Sequence, residues 1–154
     1  MNVKIDPDTF GFLLTDLARL IRVDLDQRIV NEGIGVTPGE ARTLLHAARA
    51  GEVRQNVLAE RMGLEAMTLS TYVDRLEERG LVQRITDPSD RRAKFVRLTP
   101  AADEALQAIM RATAAVRQRA REGLDDQEWA MLNDLLARVR RNFSAAADEG
   151  RPNS

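Results

Sequence analysis

Basic side chains are concentrated in one short segment of this chain. The segment contains two acidic residues, Asp87 and Asp90, and five basic ones: Arg84, Arg91, Arg92, Lys94 and Arg97. Local positive charge attracts the phosphates of a nucleic acid, although the whole chain carries a net charge of -1. Arg92 is the best candidate for a narrow minor groove, whose negative potential attracts arginine. Arg91 and Lys94 suit phosphate contacts. The alternative is a solvated charge cluster.

Short hydroxyl side chains recur just before this segment, at Thr68, Ser70 and Thr71. Hydroxyls both donate and accept hydrogen bonds, which suits base edges or phosphates, and Arg75 can reach a phosphate or a guanine. Together with Ala66, these residues form the surface that we expect to face a nucleic-acid groove. The alternative is that the hydroxyls only solvate one face of a helix.

Other kinds of chemistry find little support in the composition. The chain has no cysteine and a single histidine, His46, and it lacks a phosphate-binding glycine loop and metal-ligand spacing. We therefore expect no enzyme activity, no metal and no cofactor. His46 is expected to be structural, with contact to an effector as the alternative. No apolar run could span a bilayer and no secretory signal is present, so we expect a soluble, cytoplasmic protein.

Two short helical patterns position the hydroxyl side chains. The first runs from about Gln55 to Met62, Gly63 breaks it, and the second covers residues 65–79. Ala59 supplies the small residue at the helix crossing and Gly63 the left-handed turn. The residues expected to be buried between the helices are Leu58, Met62, Leu64, Leu69 and Val73. This spacing predicts a helix-turn-helix, with an ordinary helical hairpin as the alternative.

A two-stranded hairpin is predicted directly after the second of these helices. Residues 81–85 and 94–98 are short segments with β-branched or aromatic side chains, and residues 87–90 have the composition of a turn. The hairpin would carry the basic residues at a protruding tip.

Longer helices flank this central part. A helical pattern covers residues 6–32, with Asp6-Pro7 in its first turn, and Thr37 with Glu40 forms a capping box that starts the next helix. Thr99-Pro100 is expected to cap a long helix.

The last helix also has a clear start signal. Asp125 and Glu128 form a second capping box, and Leu124 can pack on Trp129 as a hydrophobic staple. Residues 148–154 are polar and predicted to be disordered.

The apolar stripes of the flanking helices are longer than a small DNA-reading unit can bury. We expect them to pack against a second subunit. The residues assigned to this dimer contact are Phe10, Leu13, Leu17, Ile109, Val116, Trp129, Leu132, Leu136, Val139 and Phe143.

The helix end and hairpin carry a specific resemblance. Residues 73–77 read VDRLE and residues 79–82 read RGLV, while residues 87–93 read DPSDRRA and residues 96–99 read VRLT. In these segments, and in the number and order of its helices along nearly the whole chain, the protein resembles the MarR family of transcriptional regulators.

This resemblance implies a homodimer held by the N-terminal and the two C-terminal helices. It implies a recognition helix in the major groove, a wing tip in the flanking minor groove, and repression that a small aromatic or organic-acid effector relieves. It also implies that Asp90 braces the wing tip. The family often has a long basic residue where Thr71 stands, so base reading is expected to be weaker here or shifted to other residues.

The predicted fold is mainly α with a small β-hairpin wing. Residues 1–154 would form a single domain, with a winged helix-turn-helix at 37–99 flanked by dimerisation helices at 6–32 and 100–146. The predicted function is sequence-specific binding of double-stranded DNA by a homodimeric repressor, released from a pseudo-palindromic operator by an effector. The alternative is a winged helix that contacts another protein and does not bind DNA.

Overall fold

Six helices and a small antiparallel sheet make up residues 6–149, the part of the chain that the computed structural model describes; side chains are described up to residue 144. The helices are α1 (Phe10–Glu32), α2 (Pro38–Ala50), α3 (Gln55–Met62), α4 (Ala66–Glu78), α5 (Asp103–Ala120) and α6 (Asp126–Glu149). The strands are β1 (Val53–Arg54), β2 (Val82–Asp87) and β3 (Asp90–Leu98). The chain divides into two compact units, one up to Val116 and one from Arg117 onward.

The first unit is organised around one hydrophobic core to which every one of its helices and strands contributes. Fully buried side chains include Ile29, Leu44, Leu58, Leu69, Leu76, Val96 and Ile109. Between α1 and α2, Thr37 accepts a hydrogen bond from the Glu40 backbone, and the Glu40 carboxylate accepts one from the Thr37 backbone. The predicted capping box is therefore confirmed, and it fixes where α2 begins relative to the core.

The helix-turn-helix is formed by α3 and α4, whose bounds agree with the prediction to within one residue at each end. Gly63 has φ +62°, and Leu64 donates its backbone N–H to the Ala59 carbonyl across the turn. Ala59 is buried where the helices cross. A residue with a Cβ would be strained at this φ, so the glycine allows α4 to leave α3 at a sharp angle.

The wing is a three-stranded sheet in the order β1-β3-β2. The hairpin strands extend further than predicted, up to Asp87 and from Asp90, with a register irregularity after Thr86. The two-residue β1, in which Val53 pairs with Val96, was not predicted. It joins the wing to the start of α3. The mainly α, winged helix-turn-helix fold is confirmed.

Two predicted helix starts are wrong, and in each a polar side chain makes a hydrogen bond other than the predicted cap. Asp6 accepts a hydrogen bond from the Asp8 backbone, so a turn contains Pro7 and α1 begins only at Phe10. Thr99 donates its hydroxyl to the Gly80 carbonyl and makes no cap with its side chain. A short 3-10 turn, Pro100–Ala102, therefore precedes α5.

The second unit contains the end of α5 and all of α6. Asp125 accepts hydrogen bonds from the backbones of Gln127 and Glu128, and the Glu128 carboxylate accepts one from the Asp125 backbone. The second predicted capping box is confirmed. Helix α6 continues to Glu149, two residues into the segment predicted to be disordered, and the rest of that segment lies outside the described residues.

Candidate nucleic-acid interface

One face of α4 packs on the core and the opposite face is open. The buried residues are Leu69, Val73 and Leu76. Because an α-helix turns by about 100° per residue, the line opposite this buried stripe passes through Met67, Thr71, Asp74 and Glu78. All four are exposed. The N-terminal half of the open face is therefore uncharged and its C-terminal half acidic, so only the N-terminal half suits contact with a polyanion.

Four of the residues predicted to contact DNA lie in the first two turns of α4. Ala66, Thr68 and Thr71 are exposed, whereas Ser70 is half-buried. The Thr71 hydroxyl donates to the Met67 carbonyl at 3.0 Å within its own helix. Its oxygen remains able to accept a hydrogen bond from outside.

Arg75, the fifth predicted residue of α4, is directed toward another helix. Its guanidinium lies 3.7 Å from the Glu40 carboxylate, which is itself buried at the start of α2. The Arg75 side chain remains 57% exposed. It lies farther along α4 than the hydroxyl residues. Like Thr68, Ser70 and Thr71, it does not line the groove between the wing tip and the starts of α3 and α4.

Arg84 on β2 connects the wing to both helices of the helix-turn-helix. Its guanidinium lies 2.7 Å from Asp74 and 2.8 Å from Glu77, and it donates to Gln55 at 2.8 Å and to the Ser70 carbonyl at 3.2 Å. The Arg84 backbone also donates to Glu77. The side chain is only 18% exposed. Its charge is compensated, so this arginine positions the wing and adds little to the attraction of phosphates.

The remaining basic residues of the hairpin differ in whether they have an acidic partner. Arg97 forms an ion pair with Glu52. Among the described side chains, residues 6–144, by contrast, no ion pair involves Arg91, Arg92 or Lys94, all of which are exposed; Lys94 only donates a hydrogen bond to the Thr86 hydroxyl at 2.7 Å. The uncompensated positive charge of the wing is therefore concentrated at its tip, residues 88–94.

Two aspartates hold the wing tip, and sequence analysis identified only one of them. Asp90 accepts a hydrogen bond from the Arg92 backbone at 3.0 Å. The deeper brace is Asp87, whose side chain is 3% exposed and lies 2.5 Å from the Arg54 guanidinium. Its other carboxylate oxygen accepts hydrogen bonds from the Ser89 backbone at 2.8 Å and hydroxyl at 2.7 Å. The sequence showed Asp87 only as a turn residue, because Arg54 is far away along the chain.

These contacts also determine the charge state of the brace. The hydrogen bonds from the Ser89 hydroxyl and backbone lower the pKa of Asp87 below its ordinary value. Burial acts in the opposite direction, and Arg54 adds to the lowering. Asp87 is therefore ionised at neutral pH and keeps Arg54 bound at the foot of the tip.

A groove of about 340 Å³ brings the wing tip and the helix-turn-helix together. Three of the predicted DNA-contacting residues, Ala66, Arg92 and Lys94, share it. The other lining residues are Gln55, Asn56, Asp90 and Ala93. Polar side chains at the start of α3 thus belong to the same surface, although sequence analysis gave them no role.

Met67 is the clearest omission from the predicted site. Its side chain is 84% exposed, the largest exposed fraction of any large apolar residue in the described part of the chain. The signal was available, since Met67 precedes Thr71 by one helical turn on the open face. An apolar residue in a helical pattern is usually interpreted as core, which is why it was passed over.

The predicted dimer residues have mixed surroundings. On α1, Phe10, Leu13 and Leu17 are between 46% and 54% exposed, and α6 also displays large apolar side chains: Leu132 at 39%, Leu136 at 38% and Phe143 at 69%. Trp129 and Val139 are half-buried. Ile109 and Val116 are already buried within the chain at 0% and 8% exposure. Assigning these two to a contact with a second subunit is therefore corrected, because they have almost no surface to offer one.

A second concave surface lies between α1, α2 and α4, in the first unit. It encloses about 210 Å³ and is lined by Arg22, Arg42, His46 and Tyr72 together with apolar residues that include Ile21 and Leu25. Burial lowers the pKa of His46, and the guanidiniums of Arg49 and Arg42 lower it further. His46 is thus mainly neutral at pH 7. Arg42 forms an ion pair with Asp26, so the positive charge of this cleft that has no partner among the described residues is that of Arg22.

The described residues offer no other obvious chemistry. The side chains of residues 6–144 include no group of three or more His, Asp or Glu that could hold a metal ion. None of the helices in the described part of the chain combines the length and apolarity that crossing a membrane requires.

Comparison with known proteins shows which family this chain is similar to. A family model of the MarR family matches residues 34–93, which run from the loop before α2 to the wing tip. A solved probable transcriptional regulator from Pseudomonas aeruginosa is 32% identical, with a TM-score of 0.66 over 86% of this chain and 97% of its own. Another solved transcriptional regulator is 36% identical, with a TM-score of 0.75 over 89% of this chain and 99% of its own.

A MarR-family regulator from Rhodococcus is 28% identical, with a TM-score of 0.75 over 89% of this chain and 96% of its own. The similarity extends well beyond the matched segment and includes the flanking helices. The chain therefore belongs to the MarR family of transcriptional regulators.

Proposed function

We propose that this chain binds double-stranded DNA sequence-specifically as a homodimer. Each subunit inserts the N-terminal half of α4 into the major groove and its wing tip into the flanking minor groove. The observation that carries this proposal is the charge of Arg92 and Lys94, which have no ionic partner among the described side chains and share a groove with Ala66 at the uncharged start of α4. Positive charge next to hydroxyl groups combines phosphate attraction with base contact on one surface.

Dimer formation follows from the apolar surface that the described chain leaves open. Phe10, Leu13 and Leu17 recur along α1, and Leu132, Leu136 and Phe143 along α6. Exposure of so many large apolar side chains is unfavourable in water, and a symmetric partner would bury them. A two-fold dimer would present two copies of α4, so the operator is expected to be pseudo-palindromic.

The dimer acts as a repressor, and an organic acid in the cleft between α1, α2 and α4 releases it. In support, Arg22 has no ionic partner within the described residues, and apolar side chains adjoin it. The Bordetella bronchiseptica protein BpsR, 20% identical with a TM-score of 0.70, is described as regulated in its DNA binding by 6-hydroxynicotinic acid. That acid is a suitable first probe, with Arg22→Ala as the variant expected to lose the response.

The decisive test is DNA binding measured across a salt series. The wild-type chain, Arg92→Ala and Arg97→Ala are compared on a sequence selected from random DNA. Arg97→Ala is the matched control, because it removes the same charge from the same strand but at a site already paired with Glu52. We expect Arg92→Ala to reduce the slope of log K against log salt by about 2 for a dimer. The control should leave this slope nearly unchanged.

Two outcomes would count against the proposal. Equal slopes for Arg92→Ala and the wild type would remove the wing tip from the interface. Failure of the wild type to select any sequence from random DNA would exclude specific DNA binding altogether. The leading function would then be a winged helix that contacts another protein, in keeping with the net charge of -1.

A further inference from the structure

Met67 occupies a position that hydrophobicity alone does not explain. It is the second residue of α4, and 84% of its side chain is exposed. Neither the hydrophobic core nor the partly buried residues packed against it include Met67. Water therefore surrounds a long apolar side chain at the end of α4 that is expected to enter the DNA groove.

The residues around Met67 define what it could contact. Thr68 and Thr71 are exposed beside it, and Thr71 donates its hydroxyl back to the Met67 carbonyl. Residues at the N-terminal end of a recognition helix are those that reach base edges. Acidic side chains on the same open face, Asp74 and Glu78, begin only in the following turns. Met67 is thus the residue of this face that combines length with an uncharged, apolar end.

Among the groups that distinguish the base pairs in the major groove, one is apolar. Thymine carries a methyl group at C5, whereas the other groups that distinguish the bases there are hydrogen-bond donors and acceptors. A methionine thioether cannot compete for those donors and acceptors, but it can bury a methyl group. Its unbranched side chain also adapts to the shape that the groove offers.

We infer that Met67 is a specificity-determining residue that selects a thymine in each operator half-site by contact with its C5 methyl group. This inference rests on the proposed binding of DNA by α4. Base reading by α4 would then depend on an apolar contact at the start of the helix. The middle of this helix has Thr71 and no long basic side chain. The partner is the methyl group itself, so uracil at the same place would be bound more weakly.

The experiment uses the full chain and DNA in which single thymines are replaced by deoxyuridine, which lacks the methyl group. A binding sequence is first selected from random DNA, and every thymine in it is then replaced in turn. For the wild type we expect one symmetric pair of positions where the replacement weakens binding, by about 4-fold for each methyl group lost. Met67→Ala should bind the thymine and deoxyuridine forms equally, and Met67→Leu should retain the preference.

The ratio of the two affinities is the readout, so a general loss of affinity does not obscure it. Weak variants can be measured at low salt, where phosphate attraction strengthens all binding. A thermal unfolding curve confirms that the exposed substitution leaves the fold intact. A preference for thymine that persists in Met67→Ala, or a wild type indifferent to every replacement, would overturn the inference while leaving DNA binding established. Absence of any selected sequence would instead remove the proposed function.

Discussion

Arginine occurs at both ends of the wing, but its surroundings differ between them. At the base, Arg84 contacts two carboxylates and Arg97 contacts one. At the tip, Arg91 and Arg92 are exposed without an ionic partner among the described residues. The base arginines therefore use their charge inside the protein, and the tip arginines keep theirs for an external anion.

A count of basic residues therefore overstates the charge available to DNA. Five basic side chains lie between residues 84 and 97, but two of them have acidic partners. Substitution at the base should change stability, and substitution at the tip should change DNA binding.

Removal of the whole basic tip is expected to have the largest effect. The triple variant Arg91→Ala, Arg92→Ala, Lys94→Ala removes about six phosphate contacts from a dimer, so the salt slope should fall by about 5. DNA affinity near physiological salt should fall on the order of 1,000-fold. Salt-dependent binding isotherms measure both quantities.

The free energy of unfolding of this variant should stay within about 0.5 kcal/mol of the wild type, because exposed charges contribute little to stability. A large loss of stability would contradict the division between base and tip.

Arg84→Ala should have the opposite signature. The substitution removes charge-assisted hydrogen bonds to Glu77 and Gln55 and the ion pair with Asp74. The free energy of unfolding should fall by about 2 to 3 kcal/mol in a urea titration. Arg84→Lys provides the control, since a lysine keeps the charge but cannot make the same set of directed bonds. An unchanged stability would show that the wing is held by its apolar contacts alone.

Asp87 connects the two regions and should make the wing sensitive to acid. Since the folded-state pKa of Asp87 is lowered, its contribution to stability is complete above its unfolded pKa of about 3.9 and is lost as pH falls through the folded value. Thermal unfolding followed from pH 6 down to pH 2 should show this loss.

Asp87→Asn keeps the size of the side chain and removes the titrating group. The stability of this variant should depend less on pH in the acidic range than that of the wild type. Identical pH profiles for the two proteins would mean that the bonds from Ser89 and Arg54 do not favour the ionised carboxylate.

The features that sequence predicted well are those whose signals lie within a few residues. Thr37 and Glu40 cap α2 across one helical turn, and Gly63 supplies the left-handed bend between α3 and α4. The predicted start of α1 was wrong despite a local signal. The Asp6 carboxylate accepts a hydrogen bond from the Asp8 backbone in a turn, and the helix begins only at Phe10. Competing hydrogen bonds of similar strength decide such ends, and composition does not rank them.

The site was predicted less completely because its contacts join distant positions. Arg54 reaches Asp87 and Arg84 reaches Gln55 only after the wing has folded against the start of α3. Sequence spacing predicted that the tip was basic but could not show which arginines were already paired. Met67 was missed for another reason. Its spacing from Thr71 places it on the open face of α4, but an apolar side chain is usually buried, and the structure shows that this one is exposed.

The smallest expected effect concerns the other base arginine, Arg97. Arg97 and Glu52 are 52% and 38% exposed, so solvent screens their ion pair. A double-mutant cycle with Arg97→Ala and Glu52→Ala should give a coupling energy below about 1 kcal/mol. The equivalent cycle for Arg84 and Glu77 should give a larger value, because the Arg84 side chain is only 18% exposed and solvent screens its ion pair less. Equal coupling energies in the two cycles would mean that the burial of Arg84 does not strengthen its ion pair. The arginines at the base of the wing would then differ from those at the tip only in having an acidic partner.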